Sequence, residues 1–204
     1  SHHPARKRAS LSPKMIWLST DIHFYHQNNI KFCNRPWVTR EEMNEGLIKN
    51  FNSKVRSDDT LYLLGDIGFG KTSRLVELIQ RINGRKTLII GNHDKPHLKN
   101  QSFRDCFELI SPFLEIKVQD SSLSKGYQRI TLCHYALKVW NMSHVGAFSC
   151  FGHSHNSLPD NPNSLSLDVG VDAQNYFPIS YEELKAKMAL KTWKAIDHHN
   201  EYTK

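Results

Sequence analysis

The chain of 204 residues is 39% hydrophobic and 23% charged, which suits one globular domain with a core and argues against a two-domain enzyme. Four of its 27 Lys and Arg residues lie in residues 1–14, which contain no acid, so the rest of the chain holds 23 basic against 20 acidic residues. This small excess does not by itself indicate a nucleic-acid partner. We expect residues 1–13 to be a disordered basic leader or a tag remnant, and residues 14–204 to form the domain.

Cysteine spacing and hydropathy bear on the cellular compartment. The four cysteines form no CxxC pair, which favours reduced thiols over a zinc knuckle or a disulfide framework. They are Cys33, Cys106, Cys133 and Cys150. No apolar stretch approaches the roughly 20 residues that cross a bilayer, and the start of the chain lacks the apolar core of a signal peptide. We therefore expect a cytoplasmic protein with no membrane partner.

The first half of the chain alternates predicted strands and helices. Apolar runs predict strands over 15–18, 60–64 and 87–90. Thr39 and Glu42 fit a capping box that opens a helix of about four turns. Apolar residues at helical spacing predict another helix over 75–82, which Asn83-Gly84 ends. The polar stretch 27–36 is predicted to be a loop beside the first strand end.

The second half is predicted to be richer in strands. Apolar runs indicate strands over 113–118, 127–132, 145–151 and 164–171. Ser180 and Glu183 fit a second capping box, which opens a helix through Met188. Two β-α units followed by a run of strands predict an α/β fold in which two sheets pack face to face with helices outside.

Five short polar blocks stand where predicted strands end. They are Asp21-Ile22-His23, Gly65-Asp66, Gly91-Asn92-His93-Asp94, His134 and Gly152-His153-Ser154-His155. Any one of them is commonly a turn or a structural histidine. Strands of one α/β sheet deliver their carboxyl ends to a common edge, so all five blocks are expected to converge on one crevice. Their carboxylates, amide and imidazoles together predict a two-metal site.

The ligands are divided between two cations. Alternate residues of an extended strand end point to the same side, so Asp21 and His23 can bind one cation together. A carboxylate such as Asp66 is the natural bridge between cations held about 3.5–4 Å apart. One metal is assigned Asp21, His23, Asp66 and His155, and the other Asp66, Asn92, His134 and His153. Nitrogen and oxygen ligands together favour Mn²⁺, with Fe and Zn²⁺ as alternatives.

In this order the blocks resemble the calcineurin-like metallophosphoesterase superfamily, whose pattern is D-x-H, G-D, G-N-H-D/E, a single H and G-H-x-H. The match spans residues 21–155 and fits best the small single-domain phosphoesterases of bacteria and phages, which tend to add a histidine and an Asn-Arg-Pro segment, here His26 and residues 34–36. The resemblance implies a four-layer α/β/β/α sandwich with a dinuclear site and the seven ligands named above. The D-R-G that follows G-D in protein Ser/Thr phosphatases is missing, which disfavours phosphoprotein substrates.

The expected chemistry is hydrolysis of a phosphoester. A hydroxide that bridges both metals would attack phosphorus in line, and the metals would neutralise charge on the phosphoryl oxygens. His93 is the candidate general acid for the leaving group, with Asp94 holding its ring and raising its pKa. The alternative for His93 is packing in a turn.

Substrate contacts are predicted from position alone. Arg35 is a candidate bidentate clamp on phosphate, with an exposed and unpaired arginine as the alternative. His26 would touch a substrate oxygen or cap the loop, and His144 would lie near the site or at the surface. Asp168 and Asp172 would orient metal-bound imidazoles or occupy turns. The aromatic residues Phe24, Tyr25 and Trp37 lie near the first block in the sequence. They would either stack on a base or pack in the core.

Three functions follow from these residues. The favoured one is a phosphodiesterase or phosphatase that acts on a small nucleotide or similar phosphoester. The second is a nuclease for single-stranded nucleic acid, which is less favoured because the sequence shows no extended basic groove. The third is a non-catalytic interaction module on the same fold, against which the presence of His93 and all seven ligands argues. The oligomeric state is left open.

Overall fold

Two mixed β-sheets with flanking helices make up the structure. The computed structural model describes residues 14–194 and 196, so the predicted leader, 1–13, lies outside the described residues. The strands are β1 (Ile16–Ser19), β2 (Thr60–Leu63), β3 (Arg85–Ile89), β4 (Leu109–Ser111), β5 (Phe113–Gln119), β6 (Tyr127–Cys133), β7 (Phe148–Phe151), β8 (Ser166–Asp168) and β9 (Ile179–Ser180). The α-helices are α1 (Gln27–Phe32), α2 (Arg40–Lys54), α3 (Thr72–Arg81), α4 (Gln101–Arg104) and α5 (Tyr181–Ala189).

The first sheet has the strand order β4-β3-β2-β1-β9. Strands β1 to β4 pair in parallel, and β9 runs antiparallel to β1. Parallel neighbours require crossover connections, which here contain α1 to α4. The carboxyl ends of β1, β2 and β3 therefore lie at the same edge of the sheet.

The second sheet has the strand order β5-β6-β7-β8. Strands β5 and β6 form an antiparallel pair, whereas β6, β7 and β8 are parallel to one another. Thr20, just past β1, forms a parallel bridge with Gly170, just past β8. The carboxyl ends of the strands in the two sheets consequently meet.

Two hydrophobic clusters occupy the two faces of the first sheet. Alternate strand residues such as Trp17 and Leu63 pack against the buried faces of α1 to α4. Their neighbours Leu18 and Leu64 pack against residues of the second sheet and against α5. This alternation follows the period of two in a strand. It confirms the predicted α/β class and the face-to-face packing of the two sheets.

Both predicted caps form. The Thr39 hydroxyl accepts a hydrogen bond from the backbone N–H of Glu42 at 3.1 Å, and the Glu42 carboxylate accepts one from the N–H of Val38 at 3.2 Å. At the start of α5, the Ser180 hydroxyl accepts from the N–H of Glu183 at 3.1 Å. The two hydroxyls satisfy amides that the first turn of a helix leaves free, and the Glu42 carboxylate satisfies the amide just before the cap.

Several short elements depart from the sequence prediction. The stretch 27–36, predicted to be a loop, begins with the six-residue helix α1, which buries only Asn29 and Ile30. A helix this short and polar shows no apolar stripe in the sequence. Strands β4 and β9 and helix α4 were not predicted for the same reason, since they contain two to four residues each.

Two smaller predictions concern thiols and membranes. Cys33, Cys106, Cys133 and Cys150 are all free, as predicted. No helix among the described residues is both long enough and apolar enough to span a bilayer.

Candidate metal centre

The backbone after β1 and β2 carries the first two polar blocks side by side. The N–H of Asp21 donates to the carbonyl of Gly65 at 3.1 Å, and the N–H of His23 donates to the carbonyl of Asp66 at 3.1 Å. Backbone pairing between the two segments thus continues beyond the ends of β1 and β2. It brings the Asp21 and Asp66 side chains, 45 positions apart in the sequence, to one place.

Five of the seven predicted ligands have left-handed backbone conformations. Their φ values are +57° at Asp21, +53° at His23, +55° at Asp66, +69° at His153 and +48° at His155. The extended strand end predicted for Asp21 and His23 is therefore wrong, because both residues have positive φ and Ile22 between them does not. Non-glycine residues in this region cost about 1–3 kcal/mol each, and such strain concentrates at functional sites.

Glycines let two of the blocks approach the carboxylates. A Cβ on Gly91 would collide with the side chain of Asp66, and a Cβ on Gly152 would collide with Thr20 and Asp21. The glycines of the G-N-H-D and G-H-x-H blocks are thus needed for close approach of the backbone to the carboxylates.

Asp21, His23 and His155 form the first group that could hold a cation. One ligand atom from each lies within 4.8 Å of the others. The Asp21 side chain is fully buried, with Oδ1 at 3.9 Å from Nε2 of His23. Neither of these two atoms has a hydrogen-bond partner in the described part of the chain. Buried polar atoms are normally paired, so these two atoms fit a cation placed between them.

Burial shifts the pKa values of two residues in this group. Burial raises the pKa of Asp21 to about 7, and burial lowers the pKa of His23 to about 4. Both shifts disfavour the charged form, because water is excluded and no opposite charge compensates fully. A divalent cation would supply that compensation for the carboxylate and needs the imidazole neutral.

Asp66, His134 and His153 form the second group, again with one ligand atom from each within 4.8 Å of the others. The side-chain oxygen of Asn92 lies 3.0 Å from Nε2 of His134 and 3.1 Å from Nδ1 of His153. All four predicted ligands of the second metal are therefore brought together.

Asp66 lies between the two groups. Its Oδ2 is 3.4 Å from Nε2 of His23 and 3.3 Å from Nε2 of His134. Its Oδ1 accepts a hydrogen bond from the backbone N–H of His93 at 2.9 Å. Burial raises the pKa of Asp66, but the nearby imidazoles of His134 and His23 outweigh burial and hold the pKa below its ordinary value. The side chain is thus an anionic link between the groups.

Fixed partners orient two of the imidazoles. Nδ1 of His134 lies 2.6 Å from the carbonyl oxygen of Leu64, which can only accept, so Nδ1 carries the proton and Nε2 is free for a metal. Nδ1 of His155 lies 2.7 Å from the Asp172 carboxylate, which fixes that ring in the same way. Asp172 therefore orients an imidazole, whereas Asp168 braces a turn through the N–H groups of Asn156 and Gly170.

Arg35 does not face the substrate, so both sequence interpretations of it are wrong. The residue is 4% exposed and forms two hydrogen bonds to Asp172, at 2.9 and 3.0 Å. Its remaining N–H groups donate to the carbonyls of Asp21 and Ile22 at 2.7 Å. These hydrogen bonds occupy the guanidinium, so it cannot bind a substrate phosphate. Instead it fixes the Asp21 backbone and the Asp172 carboxylate, which contacts His155.

Asp94 does not hold the ring of His93, which corrects the predicted catalytic role. Its buried carboxylate accepts hydrogen bonds from the backbone N–H groups of Asp66, Ile67 and Gly91. Side chains adjacent in sequence diverge here, because Asp94 turns inward while His93 stays exposed. Asp94 thus ties the second block to the third.

The other candidate side chains divide by location. The ring of His93 lies at the site, with its centroid 5.7 Å from that of His23 and 4.9 Å from that of Phe69. His26 is also close, since its Nδ1 is 3.0 Å from Nδ1 of His23. His144 precedes β7, at the opposite end of that strand from His153, so the prediction that it contacts substrate is wrong.

Among the predicted stacking residues, packing is the better description. Phe24 is fully buried in the core, and Trp37 packs edge-on against Tyr176 with ring centroids 5.1 Å apart. The rings that do lie at the site were missed: Phe69, which packs on His26 and His93, and Tyr135, whose centroid is 4.8 Å from that of His153. Tyr135 directly follows His134, and Phe69 follows Asp66 by three residues. This closeness to two of the blocks was the signal that could have identified them.

No family model matches the chain. The protein of unknown function AQ665 from Aquifex aeolicus has a solved structure that matches with a TM-score of 0.61 at 22% identity, over 85% of this chain and 99% of that one. This likeness supports the fold alone. The Gene 66 protein of Mycobacterium phage L5 is 28% identical over 179 residues, 77% of this chain and 86% of that protein.

The uncharacterized protein MJ1445 of Methanocaldococcus jannaschii is more similar. It is 35% identical over 179 residues, which cover 84% of this chain and 90% of that protein. This chain therefore belongs to the same protein family as MJ1445.

Proposed function

We propose that the protein is a dinuclear-metal-dependent phosphoesterase of the calcineurin-like metallophosphoesterase superfamily, with the four-layer fold of that superfamily. The observation that carries the proposal is the position of Asp66, whose Oδ2 lies between His23 and His134 at 3.4 and 3.3 Å. A carboxylate shared by two imidazole-containing groups is the arrangement that a pair of cations requires.

The donor set also fits the cations. Asp21, His23 and His155 would hold one, Asn92, His134 and His153 the other, and Asp66 both. Two divalent cations so placed supply a nucleophile at neutral pH and neutralise charge that develops on phosphoryl oxygens. Mixed imidazole and carboxylate ligands suit Mn²⁺ best, with Fe or Zn²⁺ as alternatives.

His93 is the residue that we assign to proton donation. Its imidazole is exposed beside His23, and its backbone N–H is anchored on Asp66 at 2.9 Å. The anchor fixes the distance of His93 from the centre, so the ring can reach a leaving oxygen without entering either ligand group. No described side chain hydrogen-bonds to the ring, which leaves it free to transfer a proton.

The substrate class is a phosphodiester or phosphomonoester, with a nucleotide favoured. Phe69 and Tyr135 border the centre on the His93 and His153 sides, and aromatic faces at these positions suit a base. Free thiols at all four cysteines fit a reducing compartment, so we place the protein in the cytoplasm.

Turnover of bis(4-nitrophenyl) phosphate with Mn²⁺ tests the proposal. The wild-type chain is expected to hydrolyse it, and Asp66→Asn to lose at least about 100-fold, because even partners of metal ligands cost 10–100-fold. Asp160→Asn, the same chemical change at an exposed carboxylate, serves as the control and should retain activity. Absence of turnover with Mn²⁺, Fe²⁺ and Zn²⁺, or full activity in Asp66→Asn, would contradict the proposal.

A further inference from the structure

Two segments beside the centre carry only positive charge. Residues 67–76 contain Lys71 and Arg74 and no acid. Residues 95–104 contain Lys95, Lys99 and the half-buried Arg104, and again no acid. Lys71, Arg74, Lys95 and Lys99 are exposed, and none of these four forms an ion pair within the part of the chain that the structure describes. We call these four residues the basic ridge.

His97 holds the two segments together. Its side chain is buried, with Nδ1 at 2.7 Å from the hydroxyl of Thr72 and Nε2 at 3.1 Å from the carbonyl of Gly68. Both ring nitrogens thus contact the first segment, although His97 belongs to the second. Residues that lie more than 20 positions apart in sequence therefore form one surface.

The basic ridge begins at the candidate centre. Lys71 follows Phe69 by two residues, and Lys95 follows His93 by two. The rings of Phe69 and His93 are in contact, with centroids 4.9 Å apart. Both lysines thus lie within two residues of rings that border the centre.

From this arrangement we propose that the substrate is single-stranded nucleic acid, bound with one phosphate at the metal centre, a base against Phe69 and neighbouring phosphates on the basic ridge. The inference rests on the proposed phosphoesterase function, because it assigns the substrate of the same site. A cationic surface that tracks a backbone, together with aromatic stacking positions, is the usual design of proteins that bind single strands.

A strand fits the charges better than a mononucleotide does. The phosphate of a mononucleotide would lie at the cations, which leaves the four positive side chains of the basic ridge without a phosphate to contact. A strand presents further phosphates on either side of the one at the centre. Each phosphate neutralised by a lysine releases bound counterions and adds affinity that falls with salt.

Binding of a fluorescent, phosphorothioate-substituted thymidylate decamer tests the inference by anisotropy, with the full chain and Mn²⁺ present. The double substitution Lys71→Gln/Lys95→Gln is expected to weaken binding about 10-fold and to reduce the slope of log K against log salt by about 1.4, at about 0.7 per phosphate contact. The matched control, Lys49→Gln/Lys187→Gln, removes the same charge from exposed positions on α2 and α5 and should bind as the wild type does.

Three results would overturn the inference. They are no binding by the wild type, equal losses in both double variants, and competition by inorganic polyphosphate as strong as that by the unlabelled strand. Turnover of bis(4-nitrophenyl) phosphate separates this inference from the function. Wild-type turnover without strand binding contradicts the nucleic-acid substrate alone, whereas strand binding without turnover contradicts the phosphoesterase.

Discussion

Two buried carboxylates stand at opposite ends of the first sheet, and their surroundings differ. Asp59, just before β2, is 3% exposed and accepts hydrogen bonds from the N–H of Met15, the N–H of Arg56 and the indole of Trp17. Asp21, just after β1, is fully buried, and its Oδ1 has no hydrogen-bond partner among the described residues.

The pKa values follow this difference. Burial raises the pKa of Asp59, but its hydrogen bonds outweigh burial and hold the pKa below the ordinary value. Burial raises the pKa of Asp21 to about 7. Asp59 thus has three donors, whereas Asp21 has one within the residues that the structure describes, the backbone N–H of His153, which donates to its Oδ2 at 2.8 Å. Asp59, at the amino end of β2, therefore stabilises the fold. Asp21, at the carboxyl end of β1, is placed where α/β sheets bind their ligands.

The largest expected effect comes from His93, at the carboxyl ends. His93→Ala should lower kcat for bis(4-nitrophenyl) phosphate about 10²–10⁴-fold, because the leaving group loses its proton donor. Metal content should stay that of the wild type, since the ring lies outside both ligand groups. Steady-state kinetics with metal analysis measures both quantities.

His144→Ala is the control for this change, because His144 lies at the other end of β7. An equal loss of kcat in His93→Ala and His144→Ala would contradict the role of His93 as proton donor.

Asp172 supports the centre from behind, and its removal should have the next largest effect. Asp172→Asn frees His155 and leaves Arg35 without its partner, so Mn²⁺ affinity should fall about 10–100-fold. Calorimetric titration of the metal-free protein measures the affinity. An equal fall in Asp168→Asn, where the carboxylate contacts only backbone N–H groups, would argue that the loss is structural.

The sequence predicted that the seven candidate ligands would lie together, but it did not predict the residues that support them. Each of the seven follows an apolar strand, but β6 and β7 belong to the second sheet, so the blocks do not meet at the edge of one sheet as predicted. They converge because the carboxyl ends of the two sheets meet. Arg35 was misjudged because its partner Asp172 is 137 positions away, and nothing local marks an arginine as buried. Asp94 was misjudged because neighbours in sequence do not share a direction in a tight turn.

The basic ridge was missed for a related reason. Its two segments are each short, and their charges are unremarkable in a slightly basic domain. The hydrogen bonds of His97 to Thr72 and Gly68 help to join them, and these bonds have no sequence signal. Similarly, left-handed backbone at Asp21 and His23 is imposed by pairing with residues 65–67 and is invisible in the motif itself.

A stability measurement contrasts the two carboxylates directly. Asp59→Asn should lower the free energy of unfolding by about 2 kcal/mol, because donors aimed at a charged acceptor lose it. In the metal-free protein Asp21→Asn should leave that free energy unchanged or raise it, because a neutral amide avoids the cost of a buried charge. Urea denaturation with chelator present measures the free energy of unfolding of both variants. A larger loss in Asp21→Asn than in Asp59→Asn would contradict the prediction.

Asp120, at the surface end of β5, should show the smallest effect. Hydrogen bonds from Lys185, Ser122 and Tyr181 hold the pKa of its carboxyl below the ordinary value. Because the folded pKa is depressed, this stabilisation is present above pH about 4 and is lost as the pH falls through the folded value.

Urea denaturation at several pH values measures this contribution. The stability difference between the wild type and Asp120→Asn should be greatest near neutral pH and should shrink on acidification. A difference that grows with acid would contradict the assigned direction of the shift.

Metal stoichiometry tests the central claim most directly. Elemental analysis of the chain, purified, loaded with Mn²⁺ and desalted, should give two ions per chain for the wild type and fewer for Asp66→Asn, because Asp66 joins both groups. A wild-type chain that retains no ions, or an Asp66→Asn chain that retains as many as the wild type, would contradict the account.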